Sequence, residues 1–291
     1  MIDIGANLTN KRFKKDFDSL LERATSNQVD RIIVTGTDEK SSVEASQLCQ
    51  KHPNVLYSTA GFHPHHASEW NAKVEQVIRE LITLDNVLAV GECGLDFNRN
   101  FSTPEAQKTC FESQLQIAVE TQTPVFLHER DAYDAFSKIL EPVMDILPGA
   151  VVHCFTGSKK TLSHYLEMGC FIGITGWICD ERRGGSLRSA LPYIPLDRLM
   201  IETDAPYLLP RTMKSKPKNG RNEPSFLPVV LEEIANILDI PTDVLEAQTT
   251  KNAESFFGIP PLSQTRLLSS PDFLWPNSIP LDVARTLYER D

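Results

Sequence analysis

Short runs of β-branched or apolar residues recur eight times along the chain, at residues 2–4, 31–34, 56–60, 87–90, 124–127, 150–152, 171–174 and 199–201. The stretches between them carry apolar residues at helical spacing. Phe111, Leu115, Ala118 and Val119, for example, form the i, i+4, i+7, i+8 stripe of a half-buried helix. Strands that alternate with helices pair in parallel through crossover units, and eight such units are the number at which a parallel sheet closes into a barrel. An open doubly wound sheet is the rival arrangement. Two features favour closure: no GxGxxG follows the first run, and polar, reactive side chains follow nearly every run instead of gathering at one crevice. The expected fold class is therefore α/β, a single (β/α)8 TIM barrel over residues 1–259 with a C-terminal extension over 260–291.

A barrel of this kind commonly takes about 250 residues, which the 291-residue chain accommodates. Asp3 stands where a signal peptide would need basic and then apolar residues, and no stretch offers about 18 uncharged apolar residues. A cytoplasmic, membrane-free protein is expected, and a monomer. Cys49, Cys93, Cys110, Cys154, Cys170 and Cys179 form no CxxC, so neither a zinc knuckle nor a dithiol pair is signalled. Reduced, mostly buried thiols are expected. The net charge of −10 excludes general adhesion to nucleic acid through a basic exterior. Only local patches remain for that purpose: Lys11, Arg12, Lys14 and Lys15, and the segment 211–221 with Arg211, Lys214, Lys216, Lys218 and Arg221.

The ends of the runs carry the chemistry. Gly5 and Asn7 follow the first, His63 and His65 the third, Glu92 the fourth, and His128, Glu129 and Arg130 the fifth. His153 follows the sixth, Trp177 the seventh, and Glu202 and Asp204 the eighth. In a barrel these positions ring the C-terminal rim, where catalysis sits. Glu92, His128, His153 and Asp204 would supply two carboxylates and two imidazoles to a divalent metal, a set acceptable to zinc or manganese, with magnesium preferring more oxygen. With a cation to acidify water, Asp204 could accept its proton and His63 could protonate a leaving group. Glu202 would either support the site from behind or serve as an inward structural carboxylate, while Cys93 and Cys154, turned away by strand alternation, would pack. The basic loop with Arg211 and Lys214 suits phosphates, and Phe97, Phe155, Trp177 and Tyr207 could stack bases.

These motifs resemble the TatD family of metal-dependent deoxyribonucleases within the amidohydrolase superfamily. The resemblance runs from Met1 to about Ile259 and rests on AGFHPH (60–65), GECGLDFNRN (91–100), HCFTG (153–157), GITGW (173–177) and ETDAPY (202–207). It implies a TIM barrel, dependence on a divalent metal with Mg2+ favoured over Mn2+ or Zn2+, and 3′-to-5′ exonuclease action on single-stranded DNA or RNA, linked to DNA repair. It further implies Glu92, His128 and His153 as metal ligands, Asp204 as the final catalytic aspartate, and places His63 and His65 on the GxHPH motif. His65, Arg130, Trp177, Arg211 and Lys214 are the expected substrate contacts, and Glu92 serves catalysis as well as the metal.

One departure stands out. Most of the family begins with an aspartate followed by His-x-His, whereas Asp3 is followed by Gly5-Ala6-Asn7. Glycine has no ligand atom and a neutral amide is a weak donor for zinc, so a one-metal or lopsided centre is expected, with oxygen-rich ligation that suits magnesium. A second departure is the tail, where Pro260, Pro261, Pro271, Pro276 and Pro280 interrupt the chain before a short helix expected over 281–288. It is expected to be a flexible appendage, with docking through Phe273, Leu274 and Trp275 as the alternative. Two other functions fit the same residues: a metal-dependent amidase or deacylase, and a non-catalytic binding protein.

Overall fold

The computed structural model describes residues 1–261, so the expected tail helix and the docking aromatics lie outside the described residues. The chain alternates strand and helix: β1 (Ile2–Ala6), α1 (Phe17–Ser26), β2 (Arg31–Val34), α2 (Glu39–Lys51), β3 (Leu56–Ala60), α3 (Ala72–Ile82), β4 (Val87–Asp96), α4 (Pro104–Thr121), β5 (Val125–Arg130), α5 (Tyr133–Leu140), β6 (Ala150–Val152), α6 (Lys159–Glu167), β7 (Phe171–Ile174), α7 (Gly185–Ala190) and β8 (Leu199–Ile201). Helices α8 (Leu227–Leu238) and α9 (Thr242–Phe257) follow.

The strands lie in sequential order, each parallel to the next. The ring closes just past β8, where Ala6 bridges Ala205 in parallel, Asn7 N donates to Ala205 O at 2.7 Å and Asp204 N donates to Gly5 O at 2.8 Å. The fold is a (β/α)8 TIM barrel. Strands covered on both faces read as continuous apolar runs, and here β1, β2, β6 and β8 are buried along their whole length. Side-chain caps start several helices at the rim that follows the strands: Asp38 and Ser158 in reciprocal capping boxes, Asn71, and Thr103 ahead of Pro104. Satisfying these orphan amides fixes the loops that carry the site.

The six cysteines are free thiols, five of them buried. Among the described residues no helix is long and apolar enough to cross a membrane.

A charge network anchors the long segment after β8. Arg221 reaches both Asp16 oxygens at 2.7 Å and Glu223 at 3.1 Å, while Arg23 reaches Glu223 at 2.7 Å and Asp16 at 3.0 Å. Arg221, one of the basic residues of the 211–221 segment, is therefore committed to structure. Its hydrogen bonds, with Arg23, hold Asp16 below the usual carboxylate range. Burial works upward on Glu223, but Arg23, Ser225 and Arg221 outweigh it and hold that group low as well. Folded-state values below the unfolded ones mean that the contribution is complete above the unfolded values and is lost as pH falls through the folded ones. Arg221→Gln should therefore lower the free energy of urea unfolding by about 2 kcal/mol at neutral pH, and its deficit should shrink below about pH 4. A deficit that stays constant on acidification would show that the network does not act through these carboxylates.

Candidate active site

Strand β4 delivers the central carboxylate because Gly91 lets it lie against β5. Gly91 has φ +144, and a Cβ there would stand 2.2 Å from Phe126 O, so only glycine fits. Glu92 follows. Its Oε1 is met by three imidazole nitrogens: His153 Nε2 at 2.8 Å, His128 Nδ1 at 2.9 Å and His63 Nε2 at 3.3 Å. Four residues further along the same strand Asp96 takes His65 Nε2 at 2.7 Å and stands 3.6 Å from His128 Nε2. That separation is too long for a hydrogen bond, and His128 Nε2 is buried with no hydrogen-bond partner among the described residues.

The electrostatics follow from these contacts. Burial works to raise Glu92, but His153, His63 and His128 outweigh it and hold the carboxyl well below its usual range. Burial likewise opposes the charged forms of His128 and His153, yet the carboxylates win: Asp96 and Glu92 raise His128, and Glu92 and Glu202 raise His153 far above its ordinary value. His63 goes the other way, pushed down to about 4 chiefly by burial. Its Nδ1 accepts the His65 amide at 3.1 Å, so the neutral ring carries its proton on Nε2, facing Glu92.

Behind His153 lies Glu202, fully buried, with Oε2 3.3 Å from His153 Nδ1 and Oε1 accepting the Cys154 amide at 2.5 Å. Of the two positions open to it, support of His153 or a purely structural place, these contacts favour the first. Asp204, at a left-handed φ of +54, accepts from Asn7 Nδ2 at 2.9 Å, and burial pushes its carboxyl up to about 7.

A cavity of about 520 Å³ gathers His63, His65, Glu92, Asp96, His128, His153 and Asp204, with Arg130, Trp177 and Tyr207 also on its wall. Two arginines unremarked in the sequence, Arg99 and Arg183, line it too. Arg183 pairs with Asp180 at 2.9 Å and lies 4.4 Å from the Trp177 ring centroid, so that ring is already faced by a guanidinium. Arg99 and Arg130 have no carboxylate within 4.0 Å among the described residues. Arg211 is set back from the cavity, 4.0 Å from Asp180, and Lys214 is exposed on the loop beyond. Phe97 and Phe155 line a neighbouring cavity of about 650 Å³. Asp96 stands an even number of residues from Glu92 on β4 and so shares its face, a relation visible only once the strand is seen to run past residue 90.

A closed parallel barrel whose C-terminal rim gathers imidazoles and carboxylates around one point defines a barrel hydrolase with a metal-type centre. The family model described as TatD related DNase matches residues 2–258, and the chain belongs to that family of nucleases. A protein of Rahnella sp. (strain Y9602) named 3′-5′ ssDNA/RNA exonuclease TatD is 53% identical over 259 residues, covering 89% of this chain and 98% of that protein. One of the same name from Citrobacter rodentium is 52% identical over 259 residues, with the same coverage of each chain. Among solved structures, a TatD homologue from Escherichia coli K12 superposes with a TM-score of 0.81 at 26% identity, over 89% of this chain and 98% of that one. A TatD family hydrolase from Entamoeba histolytica gives 0.79 at 27% identity with the same coverage. A dihydroorotase from Campylobacter jejuni shares only the fold, at 12% identity and a TM-score of 0.52.

The donors fit a divalent cation. His63, Glu92 and His128 offer ligand atoms that all lie within 4.8 Å of one another, and the buried unpartnered His128 Nε2 is a further donor with nothing to bind. Because Glu92 favours the charged forms of His128 and His153, a cation taken up there would compete with protons and bind more tightly as pH rises. Glu202 orients His153 from behind, so Glu202→Gln should weaken metal affinity by roughly 10–100-fold, measured by calorimetric titration. Unchanged affinity would reduce Glu202 to a packing role.

Proposed function

We propose that the chain is a divalent-metal-dependent exonuclease that removes nucleotides from the 3′ end of single-stranded DNA or RNA, with Mg2+ as its ion, in the repair or degradation of DNA in the cytoplasm. The observation that carries this reading is the meeting of three imidazoles on Glu92 in a cavity that also holds Arg99 and Arg130, which have no carboxylate partner among the described residues. The names of the relatives supply the substrate and polarity. Glu92, His128 and His153 would hold the cation, with Asp204 completing the set.

A bound cation would supply Lewis acidity toward a phosphoryl oxygen and would make an attacking water more acidic. Asp204 is the base. Burial raises its carboxyl, which favours acceptance of a proton. His63, pushed down to about 4 and so neutral near pH 7, faces Glu92 with its Nε2 3.3 Å from Oε1, so the proton for the leaving oxygen comes from water. Arg99 and Arg130 bind the phosphates on either side of the scissile bond, and the half-exposed Tyr207 stacks a base. Magnesium suits a first position that offers Gly5 and an Asn7 amide instead of two imidazoles.

With Mg2+ and a 5′-labelled single-stranded oligonucleotide, Glu92→Ala and Asp204→Asn should each lower kcat by at least about 100-fold, and chelation should abolish turnover. Either variant degrading the strand as fast as the native chain would sink the assignment. Asn7 works to lower the Asp204 value by donating a hydrogen bond. Asn7→Ala should therefore move the acidic limb of the kcat/KM profile to higher pH; a shift in the other direction, or none, would remove Asp204 from the role of base.

A further inference from the structure

Two segments far apart in sequence, 8–15 and 205–222, together carry nine Lys and Arg and no Asp or Glu, on a chain whose net charge is −10. The structure brings them into contact. Arg12 Nη2 donates to Asn219 O at 3.0 Å and its Nη1 to Pro206 O at 3.3 Å, while Arg221 Nη1 donates to Arg12 O at 2.8 Å. Asn222, buried, pins the base of the second segment by donating to Thr203 O at 2.9 Å and Tyr207 O at 2.7 Å. Arg12 and Arg221 are thus the clasp that holds the two segments together, and the lysines around them are left facing water. Lys11, Lys14, Lys15, Lys214, Lys216 and Lys218 are all exposed, and none has a carboxylate within 4.0 Å among the described residues.

This surface adjoins the active-site cavity at two points. Asn10 reaches the hydroxyl of Tyr207, a cavity residue, at 3.4 Å. At the other point Arg211 lies 4.0 Å from Asp180, the partner of the cavity residue Arg183. A set of ammonium groups with no carboxylate partner among the described residues, on a chain of net charge −10, is an electrostatic footprint for a polyanion.

We propose that Lys11, Lys14 and Lys15, with Lys214, Lys216 and Lys218, form a basic ledge beside the cavity mouth that binds the sugar-phosphate backbone of a single strand several nucleotides from the scissile bond. This inference rests on the nuclease reading and adds to it a second place of contact, one that short substrates do not reach. The ledge holds the strand through phosphates, so it is indifferent to base sequence and sensitive to salt.

The test is fluorescence anisotropy of the full chain in EDTA, which prevents cleavage, with labelled oligo(dT) of about 3 and about 12 nucleotides between about 50 and 200 mM NaCl. The longer strand should bind the native chain with the steeper salt dependence. Lys11→Glu, Lys14→Glu and Lys15→Glu combined should lower its slope of log K against log[salt] by about 2, three phosphate contacts at roughly 0.7 each, while leaving the trimer's slope in place. A control reversal of equal net charge at Lys51, Lys138 and Lys251, exposed lysines of α2, α5 and α9, should keep the native slope. Equal slopes for both lengths on the native chain, or the same loss in the control as in the ledge variant, would overturn the ledge alone. Failure of the native chain to bind either strand, together with no hydrolysis when Mg2+ is restored, would overturn the nuclease reading with it.

Discussion

Closure of the barrel depends on one buried carboxylate. Asp3, wholly shielded from water, accepts the Thr203 amide at 2.9 Å, the Thr203 hydroxyl at 2.5 Å and the Gly5 amide at 3.3 Å. Burial pushes its carboxyl up to about 7, against the pull of these donors. Strand β8 has only three residues, too few to hold the first strand through a long ladder, and the clasp at Thr203 supplies what the ladder lacks. The same contacts fix the backbone on either side of Asp204, whose amide donates to Gly5 O and whose φ of +54 is a conformation that side chains rarely keep unless surrounding structure enforces it. Barrel closure and placement of the proposed base are one set of hydrogen bonds.

The glycine at position 5 belongs to the same arrangement. A Cβ there would stand 2.4 Å from Glu202 Oε2, so the room that a side chain would take is filled by the carboxylate that supports His153. Asn7 turns its amide nitrogen to Asp204, which makes it a hydrogen-bond donor to the proposed base. Where the family pattern puts two imidazoles, this chain has a carboxylate from across the seam and an amide. Neither group replaces an imidazole at this position, and the imidazoles of the cavity gather instead around Glu92.

Much of the fold was legible because parallel strands buried on both faces read as plain apolar runs. The runs at 31–34, 56–60, 150–152, 171–174 and 199–201 coincide with strands. The runs ending at 90 and 127 stop short of the strand ends at Asp96 and Arg130, because Glu92, Asp96, His128 and Arg130 are polar and an apolar criterion ends where chemistry begins. Glu92, His128 and His153, which the structure brings into contact, each follow such a run. Asp96 was hidden by the truncation of β4, Arg99 by its place in a loop with no periodicity, and Arg183 by a partner, Asp180, only three residues away, which makes it look like an ordinary surface ion pair. The commitment of Arg221 to Asp16 depends on a contact across about two hundred residues, which no local pattern encodes.

The distribution of charge separates two roles that composition alone merges. An acidic exterior opposes a polyanion everywhere except where cations are left without carboxylates. Arg23, Arg183 and Arg221 have such partners and serve the scaffold, while Arg99 and Arg130 in the cavity have none among the described residues. A guanidinium already neutralised by a carboxylate gains little by exchanging it for a phosphate, since both are oxygen acceptors of similar geometry. The unpaired cations are therefore those with free energy to gain from a nucleic-acid backbone. A net charge of −10 is thus compatible with a nuclease: repulsion over the rest of the surface confines the strand to the few places where it can be cut or held.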